Sequence, residues 1–105
     1  MTRPYNEAYL RELFSEEKVG VGYELARTCI TANIPAKYVA LALDVTPLTV
    51  FKWFHGAKVS IERHERLYAF MSLLKKDMDK GRLPAKNLIA AKLYIHEMLG
   101  GTVEI

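Results

Sequence analysis

The chain has one cysteine in 105 residues, Cys29, so no internal disulfide and no cysteine metal cluster can form. The three histidines, His55, His64 and His96, do not make up the deficit. No two of them stand four apart with a carboxylate arranged for a metal, and zinc needs more ligands than this. A cysteine–histidine nucleophile would require Cys29 beside a histidine, but Cys29 falls on an expected helix among core-like neighbours. A phosphate-cradling loop is also missing. Residues 19–22, VGVG, follow no strand and lack the third glycine and the lysine. No apolar run approaches the ~20 residues that span a bilayer, and the opening MTRPYNEAYL has no apolar signal region. These absences argue against an enzyme, a cofactor, a metal site and a membrane protein. They favour a cytoplasmic setting, the host cytoplasm if the source is viral.

Half of the residues are hydrophobic, enough for the core of one domain. The formal net charge is +3, unevenly placed. Residues 1–35 carry four basic and five acidic side chains, residues 36–66 five and three, and residues 67–105 six and four. The basic excess in the middle and C-terminal parts is where a polyanion would sit.

Apolar spacing of three and four recurs throughout, which predicts an all-α compact bundle. Helices are expected over 4–14, with Pro4 or Asn6 at the start, and over 23–32 after a glycine break. Asn33-Ile-Pro35 ends the second. Short helices follow over 36–43 and from Thr46-Pro47 to Phe54, where threonine caps and proline takes the first position. Ser60 opens a long helix to about Met78, and Gly81 closes it. A last helix is expected over 85–99, with Leu88, Ile89, Ala91, Ile95, Met98 and Leu99 on a wide apolar face, before a short extended tail at 102–105.

Residues 36–56, AKYVALALDVTPLTVFKWFHG, resemble the helix-turn-helix of the Cro/C1-type repressor family. Ala40 is the small residue of the first helix, Val45 the apolar plug after the turn, and Val50 and Trp53 the buried residues of the second helix. Asp44 stands where the family usually has glycine; aspartate tolerates the left-handed conformation better than most residues. The resemblance covers about residues 22–75. It implies duplex DNA as partner, with a pseudo-palindromic operator. It implies a transcriptional regulator, a repressor acting by promoter occlusion, of a kind frequent in phages.

On this alignment the residues facing DNA are Thr46, Pro47, Leu48, Thr49, Phe51, Lys52 and His55, with Lys37, Lys58 and Arg63 gripping phosphate. No Arg, Asn or Gln in the second helix offers a bidentate base contact. Leu48 and Phe51 suit thymine methyl groups instead. Trp53 falls where the family buries an apolar residue, so core packing is preferred over a single-strand stacking platform.

The expected organisation is a helix-turn-helix domain over 1–80 and an oligomerisation element over 81–105. Phe70, Leu73, Leu93 and Tyr94 lie off the main apolar stripes and are assigned to a homodimer interface. Two rival functions use the same scaffold: a phage small-terminase-like packaging protein forming a ring, and a protein-binding adaptor or antitoxin docking through Leu48 and Phe51.

Overall fold

The computed structural model describes residues 6–15 and 17–100. Six helices make up the described regular structure: α1 (Glu7–Leu13), α2 (Val21–Thr31), α3 (Ala36–Leu43), α4 (Pro47–Phe54), α5 (Ile61–Asp79) and α6 (Leu88–Met98). The expected all-α class is what is observed. The candidate start at Pro4 and the extended tail at 102–105 lie outside the described residues. Among the described residues, no helix is long and apolar enough to cross a membrane.

Helix starts follow local chemistry. Asn6, Thr46 and Asn87 each accept a hydrogen bond from the amide three residues on, satisfying a donor that the first turn leaves over. Ser60 precedes α5 without a side-chain capping bond. Four of the six helix ends share one device. Asn33, Asp44, Gly56 and Gly81 each follow a helix with positive φ. The next amide then reaches back to a carbonyl five residues earlier: Ile34 to Cys29, Val45 to Ala40, Ala57 to Lys52, and Arg82 to Asp77. This is the Schellman stop, which satisfies carbonyls the last turn leaves unpaired.

The core is one cluster drawn from all six helices. α3 packs on α4 and α6, and α2 packs on α4 and α5. Cys29 is fully buried, as its apolar surroundings predict, and burial pushes its thiol pKa up. α5 buries Leu67, Phe70, Met71 and Leu74, a single stripe at spacing three and four. Phe70 is therefore a core residue and not a surface dimerisation residue. Leu73 and Leu93 remain exposed. Tyr94 is half-buried and donates its hydroxyl to the buried carboxylate of Asp77 (2.5 Å). Burial and this bond raise the Tyr94 pKa. Arg82 bridges Asp77 (3.9 Å) and Glu97 (3.7 Å), tying the end of α5 to α6.

The last helix begins three residues later than its periodicity suggests. Ala85 is held across the chain instead: its amide donates to Ala32 O (2.9 Å) and its carbonyl accepts from Asn33 Nδ2 (2.6 Å). Leu88 and Ile89 consequently lie at the exposed start of α6 and not on its inner face, which is Ala91 and Ile95. Leu83, Ala85, Ala91 and Ile95 belong to the same core as the buried residues of α3 and α4, so α6 is built into the bundle and not appended at residue 80.

α2 starts at Val21, inside the expected break and two residues before the expected start at Tyr23, with Gly20 before it and Gly22 inside it. A Cβ on Gly22 would stand 2.4 Å from the Trp53 carbonyl oxygen. The glycine lets the first turn of α2 lie against the last turn of α4.

Gly22→Ala is expected to lower stability by ~1–3 kcal/mol through overpacking, about 4–8 °C in Tm per kcal/mol for a chain of this size. Thermal unfolding followed by circular dichroism measures it. A second expectation concerns alkaline pH. Folding raises the pKa of Cys29 above its ordinary 9.0 and that of Tyr9 from 10.0 to about 12. The fold favours the neutral forms, so their contribution is complete below these ordinary values and is lost progressively as pH rises from them through the raised values. Urea midpoints should fall above about pH 9, and Cys29→Ala should flatten the first part of that fall.

Candidate nucleic-acid interface

α3 and α4 are joined by a tight turn at residues 44–46, and the local sequence explains its geometry. Asp44 adopts φ 56°, ψ 48°, the left-handed conformation that the turn requires. Val45 follows, partly buried against the core. Thr46 then caps α4: its hydroxyl oxygen accepts from Thr49 N (3.2 Å) and lies 2.8 Å from the Thr49 hydroxyl. Pro47 occupies the first turn, where a missing N–H costs nothing. Ala40, Val50 and Trp53 are buried, as the motif predicts. The burial of Trp53 is that of a core residue and not of an open stacking platform.

The opposite side of α4 is exposed. Pro47, Leu48, Phe51, Lys52 and His55 share it, at helical spacings of one and four. Leu48 is 60% and Phe51 54% exposed, high values for large apolar side chains. Thr49 sits at the edge, half-buried. Lys37 is exposed at the start of α3, with its ammonium 5.0 Å from the Tyr38 ring centroid. Lys58 is exposed in the loop after α4, and Arg63 in the first turn of α5. The Arg63 guanidinium lies 5.9 Å from the Trp53 ring centroid. Thus every candidate contact residue is at least partly accessible. The two threonine hydroxyls, however, already engage each other.

Between residues 25 and 61 the only acidic side chain is Asp44, against Arg27, Lys37, Lys52 and Lys58. Among the described residues Arg63 and Arg66 form no ion pair, with Glu62 and Glu65 included. Together with Glu62, Leu43, Trp53 and Leu67, these two arginines line a cleft of about 210 Å³ beside α4. Arg66 is thereby added to the basic margin.

The C-terminal end of α4 is held by residues far away in sequence. The Tyr9 hydroxyl donates to Phe54 O (2.7 Å) and the Tyr23 hydroxyl to His55 O (3.3 Å). The Tyr9 ring stacks on His55 (centroids 4.7 Å), and His55 lies against Phe51 (4.2 Å). His55 Nδ1 is 2.9 Å from Phe51 O; a carbonyl only accepts, so Nδ1 carries the proton. Burial, and then the neighbouring Tyr23, push the Tyr9 pKa up to about 12. Sequence patterning does not reveal this arrangement, because Tyr9 reads as an ordinary member of an amphipathic stripe.

Other candidates fall away on position. His64 is half-buried with Nε2 3.0 Å from Val59 O, a structural contact and not a free surface imidazole. Among the described residues, no three His, Cys, Asp or Glu side chains are grouped to hold a metal. Compared with protein-family models, curated proteins and solved structures, the chain has no significant match in any of the three. The likeness to Cro/C1 regulators therefore rests on the chain's own residues.

Asp44 gives the turn a direct test. Asp44→Val puts a β-branched side chain at a positive φ and is expected to cost about 1–2 kcal/mol, whereas Asp44→Gly should leave stability equal or higher. Thermal unfolding should place Asp44→Val below the wild type and Asp44→Gly at or above it, with little change in helix content.

Proposed function

We propose that the protein binds duplex DNA through α4 and acts as a transcriptional regulator, a repressor that occludes a promoter. One observation carries the reading: α4 presents Leu48, Phe51, Lys52 and His55 on a single exposed face, in a helix-turn-helix bordered by the exposed bases Lys37, Lys58, Arg63 and Arg66. α4 enters the major groove. Lys37, Lys52, Lys58, Arg63 and Arg66 neutralise phosphates and set register, while Leu48 and Phe51 cover thymine methyl groups. With few polar readers, DNA shape and deformability supply much of the preference. The working form is a homodimer with its two α4 helices about one turn (~34 Å) apart on a pseudo-palindromic site. Leu73 and Leu93 of the assigned interface remain exposed, and Leu88 and Ile89 join them.

The exposure of Leu48 and Phe51 also favours a second reading, an adaptor that docks a protein on the same face. Salt separates the two. Duplex binding releases counterions, so affinity falls steeply with salt; an apolar protein contact does not behave this way. A packaging ring is separated by native mass, which would show eight or more subunits instead of two.

The wild type is expected to bind duplex DNA with strong salt dependence. Lys52→Ala combined with Lys58→Ala should weaken binding on all sequences and reduce the slope of log K against log salt by about 2, one unit per phosphate contact. Fluorescence anisotropy across a salt series measures this. A wild type without salt-dependent duplex binding would sink the DNA reading.

A further inference from the structure

We infer that Tyr9 of α1 is a positioning residue for the exposed face of α4, acting through His55 to fix the Phe51 ring as a thymine-methyl reader. The inference rests on the DNA-binding reading and names a working part that the helix-turn-helix itself does not contain.

Three aromatic rings form a short ladder, Tyr9 on His55 and His55 on Phe51, with centroid spacings of 4.7 and 4.2 Å. Its inner and central rings are hydrogen-bonded to the backbone of α4. The Tyr9 hydroxyl binds Phe54 O, and His55 Nδ1 binds Phe51 O. The central imidazole thus has its plane set by stacking and its proton placed by a carbonyl. Tyr23 closes the same corner. Its hydroxyl donates to His55 O, and a Cβ on Gly56 would come within 2.2 Å of it.

The outer ring, Phe51, remains half open to solvent, as does His55. A phenylalanine on the rim of a short helix has free χ1 and χ2 rotation unless something packs on it. A ring that must be ordered on binding loses part of its contact energy to that ordering. Here the ordering is already done by His55, and His55 is held by Tyr9. The chemistry of the exposed edge is apolar, so the group it discriminates is the C5-methyl of thymine, the one apolar feature of the major groove. α1 lies outside the expected motif of residues 36–56, yet it supplies the back wall of the reader.

The test uses the full chain and duplexes selected from random sequence, with each thymine in turn replaced by uracil to remove its methyl group. The wild type should lose about fourfold in affinity at one thymine per half-site, the worth of one buried methyl group. Phe51→Ala should abolish that discrimination, and so should Tyr9→Ala, while the salt slope stays at the wild-type value. Tyr9→Phe keeps the stack and should keep most of the discrimination. Because Tyr9→Ala also removes a packing contact, its helix content and Tm are recorded beside Tyr9→Phe.

Methyl discrimination unchanged in a folded Tyr9→Ala overturns the inference while leaving DNA binding intact, as does a wild type that binds duplex with no methyl-sensitive thymine. If the wild type binds no duplex, the functional reading fails first. The positioning is then read alone from the His55 ring signals by NMR. They should move to those of an unstacked, more mobile imidazole in Tyr9→Ala, and unchanged signals there overturn the positioning as well.

Discussion

The contact on which the rest of the molecule depends is the approach of α2 to the last turn of α4, with Gly22 against the Trp53 carbonyl. An eight-residue helix has no stability of its own in water. α4 exists because Val50, Trp53 and Phe54 are buried on its inner side. Its angle to the bundle is set by how near α2 can come. A side chain at position 22 would push the helices apart at the end where Tyr9, Tyr23 and His55 converge. The exposed side of α4 is aimed by the same contact, since a helix rotated on its buried face carries its open face with it.

Much of this architecture is legible in local sequence because local chemistry decides it. Thr46-Pro47 marks the start of α4 by capping and by a missing donor. Asp44 marks the turn because few residues accept positive φ. The limits of α3 follow from Pro35 before it and Asp44 after it. What is not legible depends on partners distant in the chain. Nothing around Ala85 shows that its amide will bond Ala32 O and hold back the start of α6. Periodicity alone places Phe70 among surplus apolar residues, but the bundle uses the 67–70–71–74 stripe and leaves Tyr68 and Leu73 outside. The candidate site divides in the same way. The outward residues of α4 follow from helical spacing, whereas the role of Tyr9 depends on a bond across 45 residues.

The two halves of the molecule treat charge differently, for physical reasons. Near α6, Asp77 is buried but fully engaged, with the Tyr94 hydroxyl and Arg82 facing it. A carboxylate taken out of water requires such partners. Around α4 the bases are exposed and make no ion pair among the described residues, although Glu62 shares the cleft with Arg63 and Arg66. Surface pairs contribute little to stability, so this imbalance is not a folding device. Its consequence is a surface potential that favours an anion at one place.

On the proposed reading, that potential and the apolar character of α4 divide the work. Phosphate contacts from Lys37, Lys52, Lys58, Arg63 and Arg66 are insensitive to sequence and give affinity. They leave discrimination to a helix that begins with proline and carries Leu48 and Phe51 where polar readers usually stand. Such a helix cannot reject a wrong base by leaving a donor or acceptor unpaired, the mechanism by which sharp direct readout works. It gains only when an apolar group meets it, in steps as small as one methyl. Small steps count only if the reading surface is rigid, because each degree of freedom frozen on binding subtracts an amount of similar size. A regulator built this way therefore needs its reading face ordered in advance, and the ladder from Tyr9 through His55 to Phe51 provides that order from outside the motif.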